Sequence, residues 1–118
     1  MDFTINENQN MISDMIQKFG KQNITPFVRE WDDKQIFPVD VFKKLGELGL
    51  MGVLVPTEYG GSNLSMEEEV KLTFELGRAA PAFRSIAGTN IGIGSQTIVM
   101  SGTEDQKKNT FQKFLTEN

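Results

Sequence analysis

From Ser85 through Thr103 the chain carries no charged residue, and Gly88, Gly92 and Gly94 interrupt a stretch that is otherwise compatible with a helix. An ordinary surface helix sets a charged face against its apolar stripe, and this segment has none to offer. Ser85, Thr89, Asn90, Ser95, Gln96, Thr97 and Ser101 also make it too polar for a lipid-facing span. The pattern predicts a helix of a soluble domain, buried on nearly all sides. Each Gly inside a helix costs about 0.5–1 kcal/mol relative to Ala, so the three need a reason, either close packing of another helix or the approach of a ligand. Gly92-Ile93-Gly94 is not the start of a dinucleotide fingerprint, because no strand precedes it and Thr97 stands where the third Gly belongs.

The flanking sequence is helical too. Asn6 with Gln9 forms a capping-box pattern ahead of Met11, Ile12, Met15, Ile16 and Phe19. Pro26 breaks or restarts that helix, and Phe27, Val28 and Trp31 continue an apolar stripe read as core. A short helix from Val39 places Val41, Phe42, Leu45 and Leu48 on one face, with Gly49 to end it. Leu50 to Gly61 is an extended apolar run closed by Pro56 and a double Gly, which predicts a buried loop and tight turn rather than a central strand. Ser65 and Glu68 repeat the capping box, opening a helix with Val70, Phe74 and Gly77 in line and a stop near Pro81. Glu67, Glu68 and Glu69 suit the positive end of that helix and read as solvated, since consecutive helical residues diverge and cannot share a site. A last helix begins at Thr103, with Phe111, Phe114 and Leu115 inward. The fold class is therefore all-α, a compact domain of about five to six helices over residues 1–118.

Composition narrows the function. There is no Cys and no His, which excludes thiolate nucleophiles, Cys/His metal sites and imidazole acid–base catalysis. The net charge is -4, and the Lys and Arg residues are scattered without a basic face, so nucleic acid is not an expected partner. The amino terminus lacks the basic start and apolar run of a signal peptide, and a cytoplasmic protein is the expectation. Arg84 and Ser85 offer a guanidinium fork and a hydroxyl suited to a carboxylate or phosphate. A plain surface Arg at a helix terminus, paired with Glu75, is the alternative.

Two blocks carry a resemblance. Phe37-Pro38 before a short helix, then the run from Leu45 through Ser65, and later Gly102-Thr103-Glu104-Asp105-Gln106-Lys107-Lys108, resemble in order and spacing the amino-terminal domain of the acyl-CoA dehydrogenases. The resemblance covers nearly the whole chain. It implies a flavoenzyme whose middle β domain and carboxy-terminal helical domain lie outside these residues. FAD would sit mostly in those domains, no catalytic residue is expected in this chain, and the resemblance leaves its flavin contacts unknown. It also implies an acyl-CoA substrate, a homo-oligomer, and an electron-transfer flavoprotein as redox partner. By the same resemblance the helix from Ala82 to Gly102 walls the acyl pocket. Spacings of three and four then nominate Ser85, Ile86, Thr89, Asn90 and Ile93 as a single lining face. Phe83-Arg84-Ser85 is similar to the Tyr-Arg-Ser of the glutaryl-CoA dehydrogenases, whose Arg and Ser grip a distal carboxylate, which implies that role for Arg84 and Ser85. A sister acyl-CoA oxidase, or a helical interaction module without catalysis, is the competing reading.

Overall fold

The computed structural model describes residues 2–116, with side chains described through Lys113, so the inward placement expected for Phe114 and Leu115 lies outside the described residues. The helices are α1 (Glu7–Asn23), α2 (Val28–Asp33), α3 (Val39–Glu47), α4 (Met66–Ala79), α5 (Pro81–Gly88), α6 (Gln96–Ser101) and α7 (Glu104–Thr116). A π-helical segment, Thr89–Ser95, joins α5 to α6 with helical backbone at both junctions, so the three run on as one rod. Six rods result, in line with the expected all-α fold. Among the described residues there is no strand, and no helix is long and apolar enough to cross a membrane.

Both capping boxes form. Asn6 accepts from the Gln9 amide at 2.8 Å while the Gln9 side chain accepts from the Asn6 amide at 2.9 Å. Ser65 and Glu68 make the same exchange at the head of α4. α3 ends as expected, with Gly49 at φ 77 and the Leu50 amide donating to the Leu45 carbonyl at 3.1 Å. The run after it is a buried loop, as the Pro and double Gly predict. Val53 and Val55 are buried, and a Cβ on Gly61 would stand 2.1 Å from the Val55 carbonyl oxygen, so only Gly permits that turn.

The core forms where α1 meets α4. Ile12, Ile16 and Phe19 of α1 pack with Leu72 and Leu76 of α4, joined by Ile24, Leu45, Leu50, Val53 and Phe83. Here several sequence expectations need correction. In α4 Val70 and Phe74 of the expected line point outward, about 63% and 58% exposed, while Gly77 faces α5, because the buried stripe runs through Leu72 and Leu76. Met11 and Met15 of the α1 stripe, Phe27 of the stripe read as core and Leu48 of the α3 face are likewise exposed. Glu68 is not a solvated helix-start residue. It is buried and accepts from Asn8 at 2.9 Å and Asn6 at 3.3 Å, tying the start of α1 to that of α4.

Glu75 is the second buried carboxylate on this seam, and its partners are not Arg84. It accepts from Ser13 at 2.9 Å and pairs with Lys71 at 3.0 Å, with the Arg78 guanidinium at 3.7 Å. Burial pushes the Glu75 carboxyl up, but Lys71, Ser13 and Gln17 together outweigh it, and the group ends below its ordinary value. Glu68 is held down by the Ser65 amide first, then by Asn8 and to a lesser extent Asn6, which together outweigh the upward effect of burial. Both folded values lie below those of the unfolded chain, so their stabilisation is complete above an ordinary Glu pKa of about 4.3 and is lost as pH falls through the folded values. The urea midpoint of the chain is expected to stay level from about pH 7 to 5 and to fall steeply below about pH 4. Glu75→Gln should lower the midpoint at pH 7 and flatten the acid limb. An acid limb identical to that of the unsubstituted chain would refute the assignment.

Candidate functional site

α4 and α5 form a hairpin whose corner is a single residue. Ala80 takes an extended backbone (φ -166, ψ 126), its amide donates to the Leu76 carbonyl at 2.9 Å, and Pro81 opens α5 at a position where its missing N–H costs nothing. Packing against α4 is concentrated on α5 and thins out along the π segment. The helices therefore part from the corner and leave a groove of about 550 Å³ between them. One wall is Glu69, Val70, Thr73 and Phe74 of α4. The other is Arg84, Ser85, Gly88, Thr89 and Ile93.

Arg84 sits near the closed end. Its side chain is exposed, and among the described residues it has no ion-pair partner. Its stem lies over Gly77, 3.8 Å from where a Cβ would be. Glu69 stands two helical turns away toward the open end, about 12 Å along α4 at 1.5 Å per residue, with an oxygen accepting from Thr73 at 3.0 Å. The groove is thus cationic at the corner, anionic toward the mouth and apolar along the rim, where Ile93 is 72% exposed.

The nominated residues do not share one face. Arg84, Ser85, Thr89 and Ile93 line the groove, whereas Ile86 and Asn90 turn away from it. Ile86 borders a separate apolar cavity of about 330 Å³ beside Trp31, Phe37, Phe42 and Phe83. Around that cavity the rings form a relay, with Phe42 stacked on Phe83 at 4.5 Å and on Phe37 at 5.0 Å between centroids. The Asn90 amide donates to the Met51 carbonyl at 3.1 Å, and Gln96 reaches the Leu54 carbonyl at 3.4 Å, so this side of the rod satisfies the buried loop. A spread of three and four residues covers too wide an arc to point all five side chains one way.

The rod is not buried on nearly all sides either. Ile91, Ala87 and Ser95 face the core, but Gly92, Ile93, Gly94, Thr97 and Met100 are exposed. Close helix packing does not explain the glycines here, since a Cβ on Gly88 or Gly92 would meet nothing within 4 Å and one on Gly94 only the Thr89 carbonyl oxygen at 3.7 Å. Within the π turn the Ser95 hydroxyl donates to the Asn90 carbonyl five residues back at 2.8 Å. Such turns recur at functional sites because they rotate the residues that follow.

The family model for the acyl-CoA dehydrogenase N-terminal domain matches residues 6–118. The chain belongs to the acyl-CoA dehydrogenase family. It is 34% identical over 108 residues to a probable acyl-CoA dehydrogenase of Bacillus subtilis, covering 92% of this chain and 28% of that protein. Against the acryloyl-CoA reductase (NADH) of Anaerotignum propionicum it is 34% identical over 117 residues, or 99% of this chain and 29% of the relative. A solved glutaryl-coenzyme A dehydrogenase in complex with glutaryl-CoA superposes with a TM-score of 0.89 at 28% identity, covering 99% of this chain and 30% of that one. The chain spans under a third of the length of the curated relatives it matches.

In this acyl-CoA dehydrogenase N-terminal domain, Gly92 and Gly94 lie in helical turns and not at a strand-to-helix junction, so their amides are not gathered to cradle a pyrophosphate. We assign no flavin contact to these two glycines. Sequence reasoning missed the α4 wall. Its signal was the spacing of four from Glu69 to Thr73 to Gly77, which lies one position off the Val70–Phe74 line that apolar patterning selects. The two sides of the rod should separate by mutation. Asn90→Ala strands the Met51 carbonyl and is expected to cost the domain about 1–3 kcal/mol in urea unfolding, whereas Ser85→Ala on the groove face should cost under about 0.5 kcal/mol. Equal costs would contradict this division.

Proposed function

We propose that the chain forms one wall of the acyl pocket in an FAD-dependent acyl-CoA dehydrogenase, and that the groove between α4 and α5 receives the end of the acyl chain remote from the thioester. The reaction would remove a proton from the α carbon and a hydride from the β carbon to give a trans-2-enoyl-CoA. FAD, when bound, supplies the hydride acceptor, and most of the flavin site and the catalytic base would belong to domains outside this chain. An electron-transfer flavoprotein as oxidant, a homo-oligomeric assembly and a cytoplasmic location are part of the same reading.

The observation that carries it is the open groove with Arg84 near its closed end. Among the described residues the guanidinium has no ion-pair partner, Glu69 lies two turns away toward the mouth, and the wall between them is Thr73, Ser85, Gly88, Thr89 and apolar residues, which is matched by an acyl group that ends in a carboxylate at the corner. Arg84 would bind that carboxylate in fork geometry, with the Ser85 hydroxyl as a further donor. The likeness to a glutaryl-CoA dehydrogenase bound to glutaryl-CoA supports a short dicarboxylic acyl group.

In the complete enzyme, Arg84→Ala is expected to lower kcat/KM for glutaryl-CoA by about 10- to 100-fold, the worth of a charged hydrogen-bonded contact, and to change butyryl-CoA turnover by less than about threefold. Equal losses on the two substrates would remove the carboxylate clamp. Sustained hydrogen peroxide production from acyl-CoA with oxygen as sole acceptor would replace the dehydrogenase reading with an oxidase.

A further inference from the structure

We propose that Gly77 is the positioning residue for Arg84, the slot in α4 that seats the arginine stem and so aims its guanidinium along the groove. The proposal rests on the reading of Arg84 as a carboxylate clamp and goes beyond it by naming what holds the clamp in place.

Three observations converge. First, the only atoms within 4 Å of a Cβ built on Gly77, outside its own helix backbone and chain neighbours, belong to the Arg84 side chain, Cγ at 3.8 Å and Cβ at 3.9 Å. The stem therefore crosses α4 where that helix has no side chain. Second, Gly77 has no other local reason to be glycine. It lies inside α4 with helical backbone, it is not at a positive φ, and an Ala there would favour the helix. Third, Arg84 is held by no ion pair among the described residues, and the contact the structure gives its exposed side chain is that of its stem with α4 at Gly77. The nearby carboxylates leave it so. Glu75 is turned to the opposite side of α4, where Ser13, Lys71 and Arg78 occupy it, and Glu69 lies two turns off and bonds Thr73. A planar fork gives bidentate contact only when its plane and axis are fixed, so the seat sets how well the clamp matches a carboxylate.

The size of residue 77 then becomes a specificity control. An Ala methyl would make ordinary van der Waals contact with the stem and leave it in place. A branched Val side chain would fill the slot, lift the stem from α4 and swing the guanidinium off its line. The substrate that needs the fork should suffer and the one that does not should be spared.

The test uses the complete flavin-loaded enzyme and the ratio of kcat/KM on glutaryl-CoA to that on butyryl-CoA, which is independent of the fraction of enzyme folded. Gly77→Ala is expected to hold the ratio within about twofold, and Gly77→Val to lower it about tenfold or more, mainly through a raised KM for glutaryl-CoA. Gly77→Ser, one atom larger than Ala, is measured beside them and decides the matter on a smaller scale if the Val variant does not fold. Arg84→Ala is the internal reference. A ratio that collapses with Arg84→Ala but stays unchanged with Gly77→Val and Gly77→Ser would overturn the positioning role and leave the clamp standing. A ratio that Arg84→Ala does not move would remove the clamp itself. Added to Arg84→Ala, Gly77→Val should lower the ratio no further, whereas full additivity would mean that Gly77 acts by another route and overturn the positioning role.

Discussion

The seam between α1 and α4 is the contact on which the rest of this domain depends. Ile12, Ile16 and Phe19 meet Leu72 and Leu76 there, and two buried carboxylates, Glu68 and Glu75, are fully partnered at its edge. Burying apolar area contributes about 25 cal/mol per Å², which makes this stripe the main source of stability, while the carboxylates fix the rotation of one helix against the other. Once the Leu72–Leu76 side of α4 is committed to α1, the side carrying Thr73 and Gly77 must look toward α5. The groove is a by-product of that commitment.

The corner at Ala80 converts the orientation into a shape. With Pro81 directly after it, α5 starts at once and cannot drift away, so the two helices touch near Gly77 and Arg84 and separate farther out. The rod from α5 through the π segment to α6 then serves two purposes on opposite sides. Asn90 and Gln96 hold the Met51–Leu54 loop, whose carbonyls would otherwise be left without donors, and Ser85, Thr89 and Ile93 remain on the open side. Past Arg84 the rod carries no charge, and the loop carbonyls it meets offer no counter-ion.

Membership of the acyl-CoA dehydrogenase family gives the uncharged rod a context, and the open space at Gly88 and Gly92 suits it. Glycine in a helix is costly where nothing approaches, and among the described residues nothing approaches Gly88 or Gly92. The exposed Val70, Phe74 and Ile93 along the groove rim are also more apolar than an outer surface requires. Both features sit on one side of the molecule, around one groove, and the proposed acyl group would account for them together.

Much of this was legible in the residues themselves. The capping pairs Asn6/Gln9 and Ser65/Glu68, the stop at Gly49 and the loop closed by Gly60-Gly61 are local physics, because a cap or a tight turn involves atoms only a few residues apart. The all-α class and the family blocks follow from the same short-range patterns. What the sequence could not settle was direction. Val70 and Phe74 lie on a helical line as regular as that of Leu72 and Leu76, and only the position of α1 decides which line is buried. Ser85, Ile86, Thr89, Asn90 and Ile93 likewise have the spacing of a broad face, which the loop at Met51 and the wall of α4 divide between them. Arg84 was visible as a guanidinium beside a hydroxyl. That it spans Gly77, stays clear of Glu75 and lines a groove shared with Glu69 was decided by the hairpin at Ala80, because those residues meet only when two helices fold back on each other.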